Sequence, residues 1–63
     1  MMIHAKLGTG PAGYYNVLYK RVVKAGDIIE IRPFVLSRGR WDKVRVVEIR
    51  KIGNEPFYVL ELW

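Results

Sequence analysis

The sequence predicts a single all-β domain, with five short strands closed into a small barrel or folded into a strongly bent antiparallel sheet. Three observations point there. Among 63 residues, eight are valine and six isoleucine, with four tyrosines, two phenylalanines and two tryptophans. That pool suits a pleated, half-buried surface better than a helix. Clusters of Gly, Pro, Asn, Asp and Ser divide the chain into five short stretches. Within several of these, apolar and polar residues alternate with period two.

The first stretch, Met1 to Leu7, ends at the Gly8-Thr9-Gly10-Pro11-Ala12-Gly13 loop. The second, Tyr14 to Val23, holds two signals. Tyr14, Val17, Leu18, Arg21 and Val22 fit a helical stripe, while the adjacent tyrosines and the valines favour a strand. We read it as a strand. Lys24-Ala25-Gly26 turns into the third stretch, Asp27 to Leu36, where Ile29 and Ile31 alternate with Glu30 and Arg32. The turn Ser37-Arg38-Gly39-Arg40 leads to the fourth, Trp41 to Ile52. There Val44 and Val46 alternate with Lys43 and Arg45, after which Val47 and Ile49 take the opposite parity. A bulge or strong bend between Val46 and Val47 reconciles the two and lets one long strand serve two sides of a closed sheet. Gly53-Asn54-Glu55-Pro56 then turns into Phe57 to Trp63, where Tyr58, Leu60 and Leu62 alternate with Val59 and Glu61.

Five strands joined by tight turns, with little room for helices, give a meander closed into a barrel of SH3-like or OB-like size. Gly26-Asp27-Ile28-Ile29-Glu30-Ile31 resembles the turn-into-strand pattern common in SH3-like barrels. A chain this short buries only about 60% of the surface its unfolded form exposes. With no cysteine to form disulfides, its margin of stability is thin, and a homodimer would widen it. No uncharged apolar run approaches the ~18 residues of a membrane span. The start, Met1 to Lys6, lacks the apolar stretch and cleavage site of a secretory signal, so a cytoplasmic protein is expected. Glutamine and cysteine are absent, while Lys, Arg and Glu are frequent, a usage that resembles a thermophile's.

Catalysis is not expected. His4 is the only histidine and Ser37 the only serine, so neither a Ser-His-Asp nor a Cys-His arrangement has its parts. One histidine and scattered carboxylates do not make a zinc ligand set, so no metal or other cofactor is expected. His4 reads as an exposed or partly packed strand residue, Asp27 as a turn residue and Glu30 as a solvated strand position. Gly8 to Gly13 matches G-x-G-x-x-G, but a dinucleotide fingerprint needs a βαβ unit that this chain cannot hold, and Pro11 removes one backbone donor. The stretch reads as a glycine loop joining two strands.

The formal net charge is +5, and its distribution is more informative. Arg38, Arg40, Lys43 and Arg45 crowd around one predicted hairpin with Trp41 among them; Lys20, Arg21 and Lys24 follow Tyr14, Tyr15 and Tyr19. Cations displace counterions from phosphates, and rings offer stacking faces to bases. If both groups share one barrel face, they form a nucleic-acid surface, with Trp41 and Tyr15 stacking or wedging. Arg38-Gly39-Arg40 resembles the core of an AT-hook without its flanking prolines; as a plain β-turn, the same residues would only keep a hairpin tip soluble. Asp27, Glu30, Asp42, Glu48 and Glu55 interleave with the cations, so cross-strand ion pairs also account for part of the charge.

The leading expectation is a sequence-independent nucleic-acid-binding module, for DNA more than RNA. The alternative is a small protein-interaction module, such as an inhibitor, adaptor or accessory subunit of the kind phage and mobile elements encode. In that case Tyr14, Tyr15, Tyr19 and Trp63 would form the patch that meets a larger protein.

Overall fold

The computed structural model describes residues 1–35 and 39–63. Its five strands are β1 (Met2–Leu7), β2 (Ala12–Val17), β3 (Ile28–Pro33), β4 (Asp42–Ile52) and β5 (Glu55–Leu62). They form one closed barrel in chain order. Each strand runs antiparallel to the next, and β5 returns to pair with β1 in parallel, Ala5 opposite Tyr58 and Leu7 opposite Leu60. The parallel seam follows from the count: an up-and-down meander with an odd number of strands brings its first and last strands together in the same direction.

Alternation along each strand selects the core. Ile3, Ala5, Val17, Ile29, Ile31, Val44, Val46, Tyr58 and Leu60 point inward and are buried, with Leu7 and Tyr15 packed partly against them. The expected parity change in β4 is a bulge: Val46 lies opposite Leu60 but Glu48 lies opposite Val59, leaving Val47 as the extra residue. That insertion turns Ile49 to the side of Tyr58. The β4–β5 hairpin closes through Gly53-Asn54, with Gly53 at φ 62° and Ile52 opposite Glu55, the positive φ at the first loop position that a two-residue loop of this kind requires.

β2 is shorter than the sequence predicts, ending at Val17 instead of Val23. Leu18 still donates its N–H to the Glu30 carbonyl at 2.9 Å, and then Tyr19 adopts φ 58° and turns the chain out of the ladder. The left-handed conformation costs a non-glycine residue about 1–2 kcal/mol. What offsets it is Val23, which the departing chain delivers into the barrel core, 6% exposed. Leu62 also departs from expectation: it keeps the parity of Leu60 but stands at the barrel mouth, 70% exposed.

The Gly8-to-Gly13 stretch leads from β1 into β2 as an antiparallel hairpin, with no helix after it. The Gly8 N–H is donated to the Leu60 carbonyl at 2.8 Å and that of Gly10 to the Leu7 carbonyl at 3.0 Å. Two of the amides a phosphate cradle would need are thus used by the fold itself.

Candidate nucleic-acid interface

The outward residues of β4 follow from its inward ones. Val44 and Val46 face the core, so Lys43 and Arg45 face out, and Trp41 continues that row at the entry to the strand. β3 lies alongside with Ile31 opposite Asp42 and Glu30 opposite Lys43. One step further along the ladder, Arg32 comes to Trp41, its guanidinium carbon 4.4 Å from the centre of the Trp41 ring. On the other flank, the Trp63 N–H is donated to the Lys43 carbonyl at 3.1 Å, which sets the exposed Trp63 beside Lys43. One outer face therefore carries Arg32, Trp41, Lys43, Arg45 and Trp63.

Electrostatics on this face are mixed. Arg45 is ion-paired with Glu61, directly across from it on β5, and Lys43 has Glu30 opposite on β3. Arg40 is exposed just before Trp41, after a glycine, Gly39, at φ 103°. Exposed ion pairs of the Arg45–Glu61 kind are worth at most about 1 kcal/mol, so a phosphate can compete for the guanidinium. Arg32 is held differently: its Nε is buried and has no hydrogen-bond partner among the described residues, and the Trp41 ring face is what orients the guanidinium.

Lys20, Arg21 and Lys24 stand elsewhere. They belong to the β2–β3 connection, whose end is fastened beside the bulge: Gly26 donates to the Val46 carbonyl at 2.7 Å and Val46 donates to the Asp27 carbonyl at 2.9 Å. Arg40 and Trp41 lie at the opposite end of the β3–β4 ribbon from this connection, whereas Arg45, opposite Ile28, lies at its near end. The strand length between Trp41 and Val46, roughly 15 Å, separates the Trp41 end from this connection. Lys20 is also paired with Asp27 at 3.6 Å. The Asp27 carboxylate accepts the Lys24 N–H at 2.9 Å, and that bond, followed by the charges of Lys20 and Lys24, outweighs desolvation and holds its pKa below the ordinary aspartate value.

Of the other expected contacts, Tyr15 is half-buried, packed partly against the core opposite Ile3, and lies on β2, away from the β4 face. Arg38, and with it the Arg38-Gly39-Arg40 tripeptide as a unit, lies outside the described residues. Arg32 was missed because it read as an ordinary polar position of a strand. The parity of Ile29 and Ile31 already sends it outward, and pairing β3 with β4 across their turn would have brought it to Trp41. Trp63 was expected to be exposed, but its place beside Lys43 depends on the bulged β4–β5 register.

His4 is half-buried on the far side of the barrel, stacked on Tyr14 at 4.7 Å and edge-on to Phe57 at 4.9 Å. Among the described residues, no three His, Asp or Glu side chains are grouped to hold a metal ion, and no helix is long and apolar enough to cross a membrane. Compared with protein-family models, curated proteins and solved structures, the chain matches none.

Proposed function

We propose that this domain is a non-catalytic, cytoplasmic nucleic-acid-binding module that docks on duplex DNA, largely independent of sequence, through the outer face of β3 and β4. The observation that carries the reading is the Arg32–Trp41 stack in one surface with Lys43, Arg45 and Trp63. Cations at this spacing suit successive phosphates and gain affinity by releasing counterions. Trp41, its ring already covered on one face by a guanidinium, and Trp63, exposed at the rim, supply rings for a groove or an unstacked base. Arg40 extends the positive surface beyond the strand. Lys20, Arg21 and Lys24, on the connection that ends beside Arg45, contribute steering at longer range.

The test is fluorescence anisotropy of labelled duplex and single-stranded DNA titrated with the protein at several salt concentrations. Four neutralised phosphates, one each for Arg32, Arg40, Lys43 and Arg45, predict a log–log salt slope of about −3.5 on duplex. Absence of binding near physiological salt counts against the reading.

A second reading, a protein-interaction module, has its own support. Pro11, Tyr14, Tyr15, Pro33, Phe34 and Val35 border an apolar groove of about 390 Å³, and Phe34 and Val35 are exposed. A groove lined by prolines and aromatics suits an extended peptide. Loss of a pulled-down protein partner on Phe34→Ala, with no DNA binding by the parent, would favour it.

A further inference from the structure

β4 outlasts its neighbour. β3 pairs with it only over Asp42 to Arg45, and the Gly26–Asp27 segment adds Val46; beyond that, among the described residues, β5 alone pairs with β4, as far as Ile52. The segment Val47-Glu48-Ile49-Arg50-Lys51-Ile52 therefore has an open edge on the side away from β5. Lys51 lies opposite Pro56, which has no N–H, so that position is a non-hydrogen-bonded pair of the β4–β5 ladder. Antiparallel pairs alternate, so Ile49, two residues back, is non-hydrogen-bonded as well. The backbone N–H and C=O groups of Ile49 and Lys51 thus turn to the open edge. Val47, Ile49 and Ile52 are all exposed there.

We propose that this edge pairs with the same edge of a second copy, giving a two-fold antiparallel dimer centred on Ile49. The register follows from symmetry and charge. Residues opposite each other in a sheet share a face, so a two-fold pair must centre on one residue facing its own copy. Centring on Glu48, Arg50 or Lys51 sets like charges directly against each other. Centring on Ile49 sets Glu48 against Arg50 of the second copy and Arg50 against Glu48, with Ile49 on Ile49 between them and Val47 beneath the alkyl stem of Lys51. Ile49, whose polar backbone groups face the edge, becomes the hydrogen-bonded centre. The two Glu48–Arg50 contacts fall at the closer, non-hydrogen-bonded positions, where cross-strand side chains interact most strongly. Within one copy Arg50 already donates from Nε to Glu48 at 2.9 Å, so both side chains lie on the same face. Apolar residues on an uncovered edge are otherwise a liability for so small a domain, and self-pairing covers them.

Sedimentation equilibrium of the intact chain from micromolar to millimolar concentration tests this. The mass should rise from 7.4 kDa toward twice that value. Glu48→Arg should weaken the dimer about tenfold or more, and the double variant Glu48→Arg, Arg50→Glu, which restores complementarity, should recover it to within about threefold. Both substitutions are on exposed side chains, and circular dichroism checks that the monomer is folded. A mass that stays at 7.4 kDa throughout, or a dimer that Glu48→Arg leaves unchanged, overturns the proposal.

Discussion

The guanidinium of Arg32, from the end of β3, lies 4.4 Å from the centre of the Trp41 ring at the entry to β4. The contact spans the mouth of the β3–β4 ribbon and fixes the orientation of a tryptophan that belongs to no strand. Structure and proposed function meet there: the same pair staples the ribbon and presents a ring with its cation on the outer face.

Replacing Arg32 with alanine should therefore do two things. Loss of the cation–π contact should lower stability by about 0.5–1 kcal/mol in urea denaturation. It should also weaken duplex binding severalfold, while Arg32→Lys, which keeps the charge but not the planar stack, should recover the salt slope more fully than the affinity.

Charge reversal should separate the two basic groups. Arg40→Glu with Lys43→Glu should abolish duplex binding at physiological salt with an unchanged far-ultraviolet spectrum. Lys20→Glu, at the other end of the ribbon and already paired with Asp27, should weaken it less than about threefold. Equal losses from both would mean that general charge, and not this face, drives binding.

The barrel interior has little to spare. Leu60 is 1% exposed and lies opposite both Val46 and Leu7. Leu60→Ala should cost about 2–5 kcal/mol. A domain of this size holds roughly 3–9 kcal/mol in all. Thermal unfolding followed by circular dichroism should show a variant that is largely unfolded or melts tens of degrees lower.

The barrel was legible because its cues are local. Val44 and Val46 against Lys43 and Arg45 expose period two, and the reversal at Val47 is visible as a change of parity before any strand pairing is known. Where β2 ends is not local. Tyr14 to Val23 has strand propensity throughout, and only the demand for Val23 in the core, met by a left-handed Tyr19, ends the strand at Val17. The candidate interface was half legible for the same reason. Lys43, Arg45 and Trp41 share a face by counting along one strand. Bringing Arg32 and Trp63 to them, and setting Trp41 at the far end of the ribbon from Lys20, Arg21 and Lys24, needs the register between strands.

Asp27 gives the fold a pH dependence of definite sign. Its pKa is lowered chiefly by the N–H of Lys24 and then by the charge of Lys20, so the folded state binds its proton less readily than the unfolded chain. The stabilisation is complete above the unfolded value and is lost as pH falls through the folded one, a window that opens at the ordinary aspartate value and extends below it. Melting temperature should fall across that window, and Asp27→Asn should flatten the fall while lowering the melting temperature at neutral pH. Identical pH profiles for both proteins would contradict the role of Asp27.

The most direct measurement uses the protein's own tryptophans, since the only two, Trp41 and Trp63, both belong to the proposed face. Intrinsic fluorescence is followed while unlabelled duplex DNA is added at physiological salt, for the parent and for Trp41→Phe and Trp63→Phe. Docking through this face should give saturable quenching in the parent, with each single variant retaining part of it and reporting the same affinity to within about threefold where the ring is kept. Duplex DNA that binds without changing the emission of either tryptophan would place the contact elsewhere on the barrel and overturn the proposed interface.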